Sequence, residues 1–213
     1  MAEFTPLDEA GLKRAVRVLC RAEPRFAGIV KLHGLPPLWG REPGFATLAL
    51  LMLEQQVSLS QARAMFARIE NAGGVNERNV ARLGEAGLRE LGVTRQKSAY
   101  LATLAGQLLD GKVDLRTLTE MQDEQAIAAL DALHGVGPWT AHCYLLFALR
   151  RPDVFPAADL GLLEAVRELW KLRARPTPDA LERRASAWRP HRAAAARLLW
   201  HHYLCERGRT VPA

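Results

Sequence analysis

Nine consecutive residues, Leu133-His134-Gly135-Val136-Gly137-Pro138-Trp139-Thr140-Ala141, carry the strongest chemical signal in the chain. They lie between two apolar runs of helical spacing. Ile127, Leu130 and Leu133 form the first, and Ala141, Leu145, Leu146 and Leu149 the second, so a Gly-x-Gly hairpin joins two helices. Glycine admits positive φ and the close approach of other groups, and the N–H groups opening the second helix point outward, where they receive an anion such as a nucleic-acid phosphate. The same glycines would equally serve as ordinary helix caps, and Gly-x-Gly alone does not separate the two readings. Downstream, the loop Val154-Phe155-Pro156-Ala157-Ala158-Asp159 ends on a carboxylate 22 residues after Gly137. An Asp in that position is either the N-cap of the next helix or a group available for chemistry. Asp153, just upstream, is read as serving the loop. Trp139 and Trp200 are either core residues or flat surfaces for a planar ligand.

The elements that must hold these residues are helical nearly throughout. Leu12, Val16, Leu19 and Cys20 recur at helical spacing, as do Leu48, Leu51 and Met52, and no convincing alternating strand is found. Breakers fall at Gly34 to Pro37, Ala72 to Gly74, Gly111, and Arg175 to Pro178, giving about a dozen helices joined by short connections. Thr94 is expected to cap a helix beginning near Arg95, and Asp159 one running to about Leu172. Arg189-Pro190 is expected to start a final alanine-rich helix with Pro in its first turn. Arg95, Lys97 and Tyr100 open a helix on which the two basic groups either contact phosphate or form a solvated face.

Composition bounds the rest. The chain has 213 residues, 49% of them hydrophobic, enough for a sizeable core in one domain or two closely packed lobes. Twenty-nine Lys plus Arg against 23 Asp plus Glu leave a net charge of +6, which suits a polyanionic partner. Three separated cysteines, Cys20, Cys143 and Cys205, suggest neither a disulfide framework nor a metal motif, so a reducing cytoplasm is expected. His191, His201 and His202 are read as no metal site, because neighbours face different ways on a helix and no carboxylate cluster accompanies them. The segment Met1 to Asp8 has no apolar leader, and no stretch approaches the roughly 20 apolar residues of a membrane span. A soluble, unprocessed protein without membrane partners is expected.

With Glu54-Gln55-Gln56-Val57-Ser58 upstream and Trp188-Arg189-Pro190-His191-Arg192 downstream, the hairpin and the Asp159 loop make four motifs in order. Together they resemble the helix-hairpin-helix (HhH-GPD) DNA glycosylase superfamily, and within it bacterial 3-methyladenine DNA glycosylase II in a short form without an N-terminal β-rich lobe. The resemblance implies an all-α, two-lobed fold with the active site in the cleft between lobes. Residues 45–150 would form the hairpin lobe, and 1–44 with 151–213 the second. It implies a monofunctional enzyme of base excision repair that hydrolyses the N-glycosidic bond of alkylated, cationic purines in duplex DNA. The alternatives are a non-catalytic DNA-binding module, or a glycosylase for a neutral mismatched or oxidised base.

By the same resemblance, Asp159 is the catalytic carboxylate that stabilises positive charge on the sugar and directs water. Trp139, where bifunctional relatives carry a lysine, Trp200 and Cys143 would line the base pocket, and Cys143 departs from an aromatic found there in some members. Gln56 would fill the gap left by the flipped base, with Gln55, Ser58, Gly135, Val136, Gly137 and Thr140 also contacting DNA. No cofactor is required. The carbonyls of Asp131, Leu133 and Gly135 are implied as holders of a structural Na+ or K+. Cysteine count excludes an iron–sulfur cluster. A monomer is expected.

Overall fold

The computed structural model describes residues 5–209; of the N-terminal segment read above, residues 1–4 lie outside it. Eleven α-helices and two 3₁₀ turns, and no strand, are found among the described residues. They fall into two compact units. One spans Arg41–Leu149, and the other is built from the chain before Arg41 together with that from Arg150 onward.

The first unit holds α3 (Phe45–Glu54), α4 (Leu59–Asn71), α5 (Glu77–Glu90), α6 (Arg95–Leu109), the 3₁₀ turn Leu115–Thr119, α7 (Asp123–Asp131) and α8 (Pro138–Phe147). Its axis is α3, in which every residue except Ala46 is buried, Glu54 included. A helix apolar on all sides must be surrounded, and α4, α6 and α8 pack around it. Thr94 caps α6 as expected, its hydroxyl accepting from the Lys97 amide at 3.4 Å.

The second unit comprises α1 (Glu9–Ala22), α2 (Pro24–His33), α9 (Leu160–Leu169), α10 (Pro178–Ala185), the 3₁₀ turn Ser186–Trp188 and α11 (Arg192–Cys205). Helix α1 buries Leu12, Ala15, Val16 and Leu19, the spacing of one helix face, and Asp8 closes its start by accepting from Gly11 N at 2.6 Å. Helix α11 is the centre: its run Ala193–Ala196 has no side chain long enough to hold neighbours away, and α1, α2 and α9 all contact it.

Two helix limits differ from expectation. Helix α9 ends at Leu169, not Leu172, because Lys171 adopts φ 51° and Leu172 N turns back to Arg167 O at 2.9 Å. This left-handed closure usually announces itself by glycine, and here it does not. Pro190 is not in the first turn of α11, which begins at Arg192. The amide of His191 donates to Trp188 O at 2.8 Å, so Pro190 lies in the turn that links the 3₁₀ segment to the helix. No helix among the described residues is long and apolar enough to cross a membrane.

Candidate functional site

In the first unit the hairpin is built as its sequence suggests. Leu133 N donates to Leu130 O, Val136 N to Leu133 O, and Ala141 N to Gly137 O, each at 3.0 Å, so α7 closes and α8 opens across six residues. The two glycines do different work. Gly135 has φ 85°, and a Cβ placed on it would lie 2.4 Å from Tyr100 Cγ. The approaching group is therefore a ring, itself set edge-on against His134 with centroids 4.8 Å apart. Gly137 has an ordinary φ of −103°, caps α8, and has nothing within 4 Å of its Cβ position. Among the described residues the amides of Gly135 and Gly137 find no backbone acceptor, as an anion site at a helix start requires. Val136 differs: its side chain is buried and its amide is already bonded, so it shapes the turn from within.

The Glu54–Ser58 segment is held against this hairpin. Gln55 Nε2 donates to Gly135 O at 3.0 Å and to Thr140 Oγ1 at 2.9 Å, which brings three of the expected site residues into one network. Thr140 is buried, and its hydroxyl, like the Gln55 amide group, faces this internal network. Glu54 is gripped by Arg41 through two bonds of 2.8 and 3.0 Å. Lys97, expected on an outward basic face, is instead buried. Its ammonium donates to Leu53 O at 2.5 Å and Gln55 O at 2.7 Å, capping the C-terminal carbonyls of α3. Burial pushes this lysine below its ordinary range. Arg95 alone of that basic pair is exposed. Immediately beyond the clamp, exposed Gln56 takes φ 56°, a conformation unusual for any residue but glycine. Ser58 caps α4 in a reciprocal box with Gln61. Trp139, on the first turn of α8, is half-buried, whereas Cys143 one turn later is fully buried.

In the second unit Asp159 is both a helix cap and a specifically held carboxylate. Its Oδ1 accepts from Leu162 N at 3.0 Å and from the Trp200 indole N–H at 2.8 Å. Trp200, 9% exposed, thus orients the carboxylate in addition to any pocket role. Gly161 makes room: a Cβ there would lie 3.1 Å from Asp159 Oδ1 and 3.4 Å from Trp200 Cδ1. The preceding loop is fastened by Asp153, as expected. Its carboxylate meets Arg189 Nη1 at 2.9 Å and Arg192 Nε at 3.1 Å, and Ala193 N donates to Pro152 O at 3.1 Å. Phe155 packs edge-on against Trp188, with ring centroids 5.7 Å apart.

One premise of the reading of the C-terminal histidines is corrected: carboxylates do accompany them. Glu206, the residue that caps α11 one turn after His202, Glu168 from α9 and His33 from α2 all gather at His202. Glu206 stands four residues after His202, a spacing the sequence carries, whereas Glu168 and His33 come from other helices and leave no mark near the histidines.

Gly161, the Lys97 clamp and the Tyr100 ring were missed by sequence reasoning. Only Gly161 left a signal, as a glycine two residues after the carboxylate.

A family model described as HhH-GPD superfamily base excision DNA repair protein matches residues 50–190. YfjP of Bacillus subtilis is 30% identical over 184 residues, covering 82% of this chain and 64% of that one. A DNA-3-methyladenine glycosylase of the same organism is 28% identical over 211 residues, covering 93% and 67%. The chain thus spans about two thirds of the length of these relatives. Among solved structures, Schizosaccharomyces pombe 3-methyladenine DNA glycosylase (Mag1), in complex with abasic DNA, is 26% identical with a TM-score of 0.82, covering 88% of this chain and 95% of that one. The hairpin with its open amides, the clamped Gln55 and the Asp159 loop all fall within the matched residues, and the chain belongs to the HhH-GPD superfamily of base excision DNA repair proteins.

Proposed function

We propose that this protein is a monofunctional DNA glycosylase that acts as a monomer on duplex DNA, hydrolysing the N-glycosidic bond of alkylated, cationic purines to leave an abasic site. The observation that carries this reading is the Asp159 carboxylate, fixed by the Leu162 amide and the Trp200 indole at the head of α9. A purely structural N-cap needs the first bond and not the second. The names of the Bacillus subtilis and Schizosaccharomyces pombe relatives support the same reading.

The steps follow from the residues. A net charge of +6 favours landing on duplex DNA, and the open amides of Gly135 and Gly137 receive a backbone phosphate. Gln56, exposed and held in a left-handed conformation, enters the stack as the damaged nucleotide turns out. A purine methylated on a ring nitrogen is cationic and electron-poor, so it stacks on the Trp139 ring. As the C1′–N bond breaks, its electron pair leaves with the base, which becomes neutral, and positive charge grows on the sugar. Asp159 stabilises that charge, and water adds to C1′ as its proton passes to the carboxylate. Trp139 offers no amine to attack C1′, so no covalent Schiff base forms and the strand stays intact.

The hairpin carbonyls fit a monovalent cation. Leu133 O and Gly135 O each accept one hydrogen bond and keep a second lone pair, and neutral backbone oxygens suit Na+ or K+. With Asp131 O they would hold an ion that adds positive charge beside the phosphate.

The test is release of methylated bases from methylated duplex DNA by wild type and Asp159→Asn. Asparagine caps helices as well as aspartate does, so the variant folds. Release by wild type with strands intact until alkali, and a loss of at least about 10²-fold in the variant with DNA affinity kept, is expected. Duplex binding without release of any methylated base would leave a non-catalytic binder or a different lesion.

A further inference from the structure

We propose that His33, His202 and Glu206 form a divalent-metal site, taking Zn2+ or a similar borderline ion, that ties α2 to α11 on the side of α11 away from Trp200. The three ligand atoms lie within 4.8 Å of one another. His202 and Glu206 are one helical turn apart and therefore share a face, whereas Trp200, two residues before His202, points nearly the opposite way. His33 is the last residue of α2, and its Nε2 lies 2.9 Å from Glu206 Oε1. The His33 and His202 rings stand 5.9 Å apart, and each Nε2 is buried without a hydrogen bond of proper direction. Two inward-facing imidazole nitrogens beside a carboxylate are costly to leave unmatched and are what a metal ion uses.

The surroundings support a cation. Glu168 Oε2 lies 3.6 Å from His202 Nε2 and accepts a long bond of 3.4 Å from Arg207 Nη1, while Arg207 Nη2 holds Oε1 at 2.7 Å, so a remaining lone pair of Oε2 can serve as a fourth ligand or as the partner of a bound water. His201 Nε2 lies 3.0 Å from His33 O and so anchors the end of α2 that carries the ligand. Ligands about 2 Å from a tetrahedral ion lie about 3.3 Å apart, so closure needs adjustment mainly of Glu206, the most exposed of the three.

The experiment is calorimetric titration of chelator-treated, full-length protein with Zn2+, alongside thermal unfolding and the visible spectrum with Co2+. One ion per chain is expected, with the Tm raised by about 5–10 °C at 100 times the Kd and the absorption of a tetrahedral Co2+ centre. Glu206 is surface-exposed, so Glu206→Gln leaves the metal-free Tm unchanged while weakening Zn2+ binding at least about tenfold. Glu168→Gln weakens it about tenfold if that carboxylate supports the site. No saturable binding by wild type, or equal affinity in wild type and Glu206→Gln, would overturn the site and leave His33–Glu206 an ordinary ion pair.

Discussion

Replacing Gly135 by alanine tests the account of the hairpin most directly, because two separable costs meet at one Cβ. The backbone there has φ 85°, where a side chain costs about 1–2 kcal/mol. The new carbon would also lie 2.4, 2.5 and 2.6 Å from Tyr100 Cγ, Cδ2 and Cβ. These are the stiff, backbone-proximal atoms of the ring, so relief requires movement of α6 or the hairpin, at about 1–3 kcal/mol. Gly135→Ala should therefore destabilise the protein by about 2–5 kcal/mol in urea unfolding. In a Tyr100→Gly background, which removes Cβ as well as the ring, the overlap is gone and only the φ cost remains, so the double variant should be less destabilised than the sum of the singles by about 1–3 kcal/mol. Single-variant costs that add to within about 0.5 kcal/mol would refute the claim that Tyr100 dictates glycine at 135. Gly137→Ala is the contrast. With open space and ordinary φ it should cost less than about 1 kcal/mol, yet weaken duplex binding by crowding the amides that receive phosphate.

Three further outcomes are expected. Trp200→Phe keeps an aromatic side chain, though a smaller one, and removes the indole N–H that holds Asp159 Oδ1, so single-turnover base release should fall about 10- to 100-fold with little change in DNA affinity, as measured by filter binding. Gly161→Ala places a methyl group against both Asp159 and Trp200 and should lower turnover by disturbing the same pair, and unaltered kinetics would show that the pair tolerates a shift. Lys97 has a folded-state pKa below its unfolded value, so the unfolded chain binds more protons in the window between the two. Wild-type stability should thus rise relative to Lys97→Met as pH climbs through that window toward 10.5 and stay flat below it, a sign checked by urea unfolding from neutral pH upward.

Local sequence determined a good deal. Periodic apolar residues dictated an all-helical chain, and Thr94, Asp159 and Gly34 closed or opened helices where their side chains and backbone freedom allow. The hairpin was legible because its glycines, proline and flanking helices are contiguous, and Asp159 because it ends a proline-containing loop before an apolar run. Interactions between residues far apart in sequence were decided only by tertiary packing. Lys97 reads as a solvated helix residue until α3 presents its terminal carbonyls, 42 and 44 residues away. Tyr100 reads as ordinary until Gly135 comes beneath its ring, and Trp200 as a pocket wall until Asp159 lies within hydrogen-bond reach of its indole. His33 and Glu206 carry no mark of each other. Capping and periodicity are encoded within a turn or two of chain, where sequence spacing is distance, whereas burial of a charge or convergence of ligands depends on which helices meet.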